Sequence, residues 1–306
     1  NLIIIYMSSS PLLSVIINCF NGEKYLSECL ESILNQTYEN YEVIFWDNNS
    51  TDNSKSLFLK NKDRRLKYYS DNKHVNLYNA RNKALNLVNG KYITFLDVDD
   101  LWVADKLKLQ VNIMESNSNI GFCYSGFKFL YEKSDNINSA YNNNKLKNGK
   151  ITNHLLKNYN VGLLTLMLNA DIINSNNIKF DNRFNIMGDM DFVLRLSRVS
   201  LAVPIKSDLA IYRRHANNLS SKLDLTVKER KIWQSEMLNS TLFLKKELKP
   251  FFEETKYLDF RNEMNGLITY KSIKKLFFLR GIFFFKGLII FFHKLKNLKN
   301  KKRLKI

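Results

Sequence analysis

Apolar positions along the first 125 residues switch between two periods, and the switching predicts strands alternating with helices. Leu13 to Asn18 is a short β-branched, apolar run that reads as a strand, as do Tyr41 to Trp46, Leu66 to Tyr69 and Lys91 to Leu96. Between the first two, Glu23 to Gln36 carries Leu26, Cys29, Leu30, Ile33 and Leu34 at helical spacing. Ser50-Thr51-Asp52 offers N-cap groups for a helix over Lys55 to Lys60. A helix from Leu77 to Val88 is expected to stop at Asn89-Gly90, and an amphipathic helix covers Ala104 to Met114. This βαβα rhythm implies a mostly parallel sheet with helices on both faces. Ligands of such sheets sit at the carboxyl ends of the strands.

Past this region the pattern loosens. Lys128 to Asn160 is polar and Asn-rich and reads as a variable excursion. Structure is expected again at Leu163 to Leu168 and Asp171 to Asn174. A helix begins near Asp189 within Gly188-Asp189-Met190-Asp191-Phe192, where acids are favoured by the helix dipole, so ordinary N-terminal capping accounts for both Asp189 and Asp191 on this pattern alone. A strand over Leu209 to Tyr212 leads into Arg213-Arg214-His215.

Composition narrows the class. With 45% hydrophobic and 25% charged residues over 306 positions, the chain is globular and long enough for one large core or two small ones. Only 10 Gly and 3 Pro argue against flexible linkers, and Cys19, Cys29 and Cys123 lack metal-ligand spacing, which fits buried reduced thiols in a cytosolic compartment. Leu2 to Tyr6 is apolar but short, with no preceding Lys or Arg, so no signal peptide is expected and Met7 is a candidate start. Of the net charge of +18, twelve Lys and Arg lie in residues 271–306 without any Asp or Glu, leaving +6 for the rest. There the basic residues interleave with Leu276-Phe277-Phe278, Phe283-Phe284-Phe285 and Leu288 to Phe292. That mixture suits contact with an anionic membrane surface, while Arg280 and Lys286 interrupt the apolar run and oppose a spanning helix. The plainer reading is a helix packed on its own domain with a solvated basic end. No nucleic-acid module is visible, so nucleic acid is not expected as a partner.

The chemistry concentrates at two strand ends. Asp47 closes the second strand, and Asp97-Val98-Asp99-Asp100 closes the fourth. Acids crowd at a strand end despite their repulsion when a cation neutralises them, and oxygen ligands of this kind suit Mg²⁺ or Mn²⁺ held together with phosphates. Asp97 and Asp99 alternate across a strand, so the chain must turn at Val98 for both to approach one ion. Acidic pairs in surface turns are also common.

The order of these segments resembles a family 2 glycosyltransferase of the GT-A fold over residues 11–220. The residues that carry the resemblance are Ser14-Val15-Ile16-Ile17-Asn18-Cys19-Phe20-Asn21-Gly22, Ser32-Ile33-Leu34-Asn35-Gln36-Thr37-Tyr38, Asp47-Asn48-Asn49-Ser50-Thr51-Asp52, Ala80-Arg81-Asn82, Asp97-Val98-Asp99-Asp100, Gly188-Asp189-Met190-Asp191-Phe192 and Tyr212-Arg213-Arg214-His215. The resemblance implies an α/β fold with a Rossmann-like mixed, mostly parallel sheet. Residues 11–125 would form the nucleotide-sugar half, 126–220 the acceptor side, and 221–306 a helical extension with a membrane-surface tail from about 271.

It also implies roles. Phe20, Asn21, Asp47, Asn48, Arg81, Asp97 and Arg213 would bind the donor. Asp99, with Asp97 and His215, would hold Mn²⁺ or Mg²⁺. Asp189 would be the general base of an inverting transfer, with Asp191 the second choice, although pairing with a cation on its own helix is the plainer role. The commonest family pattern has two successive acids where Asp47-Asn48 stands, the second accepting from a uracil N–H. Asn48 keeps a carbonyl acceptor, which leaves a UDP-sugar favoured. The expected acceptor is a saccharide or a lipid-linked saccharide in bacterial surface polysaccharide synthesis, at the cytoplasmic face of the membrane. The rival classes are an inert sugar-nucleotide-binding or scaffold protein, disfavoured because the acids are retained, and a nucleotidyltransferase. The latter and a dehydrogenase rely on a Gly-rich loop after the first strand, and none is visible here.

Overall fold

Both faces of the leading strands are covered, which is why they read as unbroken apolar runs. In the computed structural model, which describes residues 10–265 and 270–303, β1 (Leu13–Cys19), β2 (Tyr41–Asp47), β3 (Leu66–Ser70) and β4 (Tyr92–Asp97) lie parallel in the order β3-β2-β1-β4. The expectations for Leu2 to Tyr6 and Met7 lie outside the described residues. Helices α1 (Glu23–Leu34), α2 (Ser54–Lys60) and α3 (Leu77–Leu85) connect these strands. Leu26, Cys29, Leu30 and Ile33 of α1 and Phe58 of α2 share one core with Val15, Ile17, Val43 and Phe45, while α3 packs on β1 and β2.

The second half of the sheet is mixed. It runs through β5 (Leu101–Trp102), α4 (Lys106–Glu115), β6 (Ile120–Tyr131), β7 (Asn136–Ser139), α5 (Thr152–Lys157), β8 (Met167–Asn169), α6 (Ala170–Ser175), α7 (Gly188–Val199) and β9 (Leu201–Arg214). The full order is β3-β2-β1-β4-β8-β6-β9-β5, with β7 paired to β6. β8 runs antiparallel to both β4 and β6, and β9 runs parallel to β6.

Three local expectations change. The polar stretch from Lys128 is not an excursion: β6 continues to Tyr131 and folds back on β7 through Leu130↔Ile137 and Tyr131↔Asn136. Parallel pairing with β9 as far as Tyr131↔Arg214 supplies backbone partners that override the weak local propensity. Helix α3 ends at Leu85, and Asn89-Gly90 is a seam rather than a helix stop. Asn89 and Gly90 donate their backbone N–H groups to Ser14 Oγ, and a Cβ on Gly90 would stand 2.5 Å from the Ser14 nitrogen. Helix α2 begins at Ser54, and Asp52 Oδ1 accepts its N–H at 3.0 Å. The other Asp52 oxygen takes the N–H of Glu23 at 2.9 Å, and Glu23 returns the contact to the Asn53 N–H at 3.1 Å. The starts of α1 and α2 are thereby clasped beside the strand ends.

The chain divides into two compact units, one holding the residues up to 155 with 159–216, the other 156–158 with 217–306. In the second, α8 (Leu223–Asn239) packs on α9 (Lys245–Asn265), with Trp233 buried 4.7 Å from Phe251. Arg230 is buried between them, its guanidinium 3.9 Å from the Phe251 ring and 2.7 Å from Glu254. Helices α10 (Tyr270–Phe277) and α11 (Ile282–Arg303) complete this unit on α9. No described helix is long and apolar enough to cross a membrane. All three cysteines are buried free thiols.

Candidate active site

Strands β2, β1 and β4 end level with one another, and the register decides which side chains meet. Asn18 pairs with Trp46 on one side and Asp97 on the other, while Cys19 pairs with Asp47. Asp47 and Phe45 share a face, since strand side chains alternate. Asp47 turns to that face: its Oδ2 accepts from the Tyr68 hydroxyl at 2.7 Å and its Oδ1 from the Ser50 N–H at 2.8 Å. Asp97 turns the other way, towards α3. The two acids share a rim but not a face.

The nucleotide-side residues are heavily engaged. Asn48 clamps the backbone of Val75, donating from Nδ2 at 2.7 Å and accepting at Oδ1 at 3.1 Å, which leaves its carbonyl one further lone pair. Asn21 adopts φ 52°, and its Oδ1 accepts the Thr51 N–H at 2.8 Å. Phe20 is 49% exposed and lies 4.1 Å from the His74 ring, an aromatic surface open at the rim.

Arg81 joins the distant acids. Its side chain is 1% exposed, yet Nη2 donates to both Asp97 oxygens at 2.7 and 2.9 Å and Nη1 to Asp189 Oδ1 at 2.7 Å. Its Nε is buried without a protein partner. The planar fork suits this bridging, and desolvation alone would disfavour its charge, but the two carboxylates hold its pKa above the ordinary arginine value. Tyr78, one turn earlier on α3, accepts the Asp189 N–H at 3.2 Å and donates to the Ile186 carbonyl at 3.0 Å. Tyr78 therefore fixes the start of α7 against α3. Burial pushes the Asp189 carboxyl up to about 6; Arg81 opposes the rise and the Asp97 charge adds to it. Asp191 instead pairs with Arg195 at 2.6 Å on the same helix.

The second cluster gathers where the turn after β4 meets the end of β9. The chain does turn at Val98-Asp99, and the Asp100 N–H donates to the Asp97 carbonyl at 3.0 Å. Asp99 Oδ2 lies 2.8 Å from His215 Nε2. Asp100 is 1% exposed and accepts the Arg213 N–H at 2.9 Å. Arg213 spends its side chain on the Asp99 carbonyl, at 3.0 Å, and on Glu28, at 2.6 Å. Tyr25 lies against both, its ring 5.3 Å from that of His215 and 5.0 Å from the Arg213 guanidinium, with its hydroxyl donating to Glu132 at 2.9 Å. Burial and the neighbouring Asp97 charge raise the Asp99 carboxyl, and burial with both neighbouring acids raises that of Asp100 further.

A divalent cation fits this cluster chemically. Carboxylate oxygen suits both Mn²⁺ and Mg²⁺ and imidazole nitrogen suits Mn²⁺, and a cation would relieve the crowding that raises Asp99. Among the described residues no three His, Cys, Asp or Glu side chains converge on one point, so phosphate oxygens would have to complete the coordination. The structure thus brings Asp97, Arg81 and Asp189 together, and Asp99 with His215 and Arg213. Asp47 and Asn48 are committed to neighbouring backbone and Tyr68. Sequence reasoning missed Tyr25, Glu28, Tyr78 and Glu132. Only Tyr78 left a signal, standing three residues before Arg81 on one helix face.

The model of the family described as Glycosyl transferase family 2 matches residues 14–167. The chain is 36% identical over 169 residues to a UDP-Glc:alpha-D-GlcNAc-diphosphoundecaprenol beta-1,3-glucosyltransferase of Escherichia coli, WfgD, covering 53% of this chain and 62% of that protein. The match therefore spans less than two thirds of that relative. A second E. coli protein described by the same reaction, WfaP, is 32% identical over 213 residues, 69% of this chain and 80% of the relative. The crystal structure of S. aureus TarS 1-349 with UDP superposes with a TM-score of 0.67 at 17% identity, over 85% of this chain and 76% of that one, a likeness of fold.

Proposed function

The chain belongs to glycosyl transferase family 2, and from that premise we propose that it moves a sugar from a UDP-sugar to a lipid-linked saccharide acceptor, with inversion at the anomeric carbon, in bacterial surface polysaccharide synthesis. The observation that carries this reading is the Arg81 fork, which draws Asp189 of α7 and Asp97 of β4 to one buried cation, 2.7 Å from each. The named reaction of the E. coli relatives supports the donor and acceptor classes.

Asp189 acts as the base. A carboxyl held near 6 is mostly ionised at neutral pH and still basic enough to take the proton of an acceptor hydroxyl as its oxygen bonds to the anomeric carbon. The bond from that carbon to the diphosphate breaks in the same displacement, and nucleoside diphosphate leaves. Arg81 holds Asp189 in place through Oδ1. Asp99 and His215 would hold Mn²⁺ or Mg²⁺, which when bound would supply charge stabilisation to the departing diphosphate. Phe20 and His74 offer the base a stacking surface, with Asn48, Asn21 and Asp47 setting the loops beneath it. Arg213 braces the Asp99 loop. Residues 11–220 form the catalytic domain, and the basic tail from about 271 rests on the anionic inner face of the cell membrane.

Transfer from UDP-glucose and other UDP-sugars to a GlcNAc-diphospholipid tests the reading, using parent, Asp99→Ala and Asp189→Ala proteins. Both variants should fold and lose transfer, and full activity in either removes that residue from its role. A thermal shift with UDP-sugar that grows on adding Mn²⁺ is expected of the parent.

A further inference from the structure

The second unit shows a feature that composition alone does not place: an apolar stripe turned outward on α11. Ile282, Phe285, Ile289 and Phe292 follow one another at intervals of three, four and three, so they fall along one helix face. They are 65%, 65%, 69% and 61% exposed, and Phe277 and Phe278 are also exposed, at 73% and 60%. Exposed apolar residues scattered singly are ordinary, but a continuous patch marks an interaction surface.

The stripe is held outward because the other face of the helix is occupied. Phe283, Ile290 and Phe291 pack against Phe260, Met264, Leu276 and Leu279. The Phe283 ring stacks on Tyr257 of α9 at 5.3 Å. A Cβ on Gly287 would come within 2.7 Å of Leu279, so the absence of a side chain there allows the close approach. Lys275 ties α10 to Asp259 and Glu263 of α9, both at 2.8 Å. Rotating α11 to hide the stripe would expose its packed aromatics instead.

Charge selects the occupant. The twelve Lys and Arg of residues 271–306 meet no acid within that segment, and Arg280 and Lys286 are exposed among the apolar residues. A second copy would set these cations against one another, whereas an anionic bilayer attracts the exposed ones, Arg280 and Lys286 among them. No described helix can span, so insertion is in the plane of the membrane.

We propose that α11 is a preformed wedge: the stripe formed by Ile282, Phe285, Ile289 and Phe292 enters the acyl boundary of an anionic bilayer while Phe283 and Phe291 stay packed within the unit. This rests on the membrane contact proposed above for the tail and assigns the face that makes it.

The test uses the full chain with vesicles of neutral phosphatidylcholine or of phosphatidylcholine with phosphatidylglycerol. The parent should float with the anionic vesicles only, and Ile289→Asp with Phe292→Asp should weaken partition by about a hundredfold without lowering Tm. Phe285→Trp should be quenched by lipids brominated in the acyl chain, and Phe283→Trp should not, after subtraction of the parent signal. Equal quenching at both positions means that the helix peels off its unit and overturns the wedge. Flotation without quenching at Phe285→Trp reduces the contact to charge and overturns it as well. A parent that does not float defeats the membrane contact itself. Light scattering that shows a dimer dispersed by Ile289→Asp assigns the stripe to a second copy and also overturns the proposal.

Discussion

Two nitrogen-bearing side chains hold the acids of the candidate site, and they differ in chemistry. Arg81 is enclosed and grips carboxylates from β4 and α7, segments about a hundred residues apart in the chain. A guanidinium keeps its charge at any working pH, and its fork fixes direction as well as distance. His215 meets Asp99 at a similar 2.8 Å, but a neutral imidazole nitrogen is a metal ligand. Similar distances therefore carry different consequences. On the proposed reading, the Arg81 cluster is a brace that aims the base, and the His215 contact is one that an arriving ion can replace.

The largest effect should come from breaking the brace. Arg81→Met leaves two acids facing a buried apolar chain and should cost about 3–5 kcal/mol of stability, read as a fall in Tm. Arg81→Lys should not restore it, because a point charge cannot serve both carboxylates in the fork geometry. Stability within 1 kcal/mol of the parent would show that the bridge is not structural. Next comes Asp189→Asn. The amide oxygen can still accept from Arg81, so the fold should hold while kcat falls by about 10²–10⁴, with the thermal shift on UDP-sugar retained. Undiminished turnover would leave the base elsewhere.

The difference between these clusters also explains what could be read in advance. β1, β2 and β4 announce themselves because sheet burial makes them continuous runs of Val, Ile, Leu and Phe, and strand ends carry acids where ligands bind. Asp97 and Asp99 were therefore visible as candidates, whereas Asp189, at a helix start, stood out only through the family resemblance. Arg81 was expected from that resemblance to bind the donor, not to hold these acids. Arg81 reaches Asp189 across 108 positions, and nothing local in Leu77 to Leu85 specifies where that guanidinium points. The β6–β7 hairpin was missed for a related reason: its polar residues are strand-forming only because β9 lies alongside. Glu28 and Glu132 belong to the same class, being surface-type residues given a role by tertiary neighbours.

A smaller effect is expected from pH. Asp189 protonated cannot accept a proton, so kcat/KM should rise about tenfold per unit as pH climbs towards 6 and then level off. The limb comes from a carboxyl raised by burial, and the residual activity of Asp189→Asn should lack it. A parent profile flat from pH 4.5 to 7.5 would contradict the assignment.

The smallest effect should belong to His215→Ala without metal. The variant loses the 2.8 Å contact with Asp99, whose carboxyl burial and the Asp97 charge already raise. Stability should fall by no more than about 1 kcal/mol, well short of the Arg81→Met loss. Function should show the variant more clearly than stability does: the Mn²⁺ concentration for half-maximal transfer should rise about tenfold or more. If instead Tm drops as far as in Arg81→Met and the Mn²⁺ requirement is unchanged, His215 is a second brace. The exchangeable contact would then have to be sought at Asp97, whose side chain is 37% exposed despite its bond to Arg81.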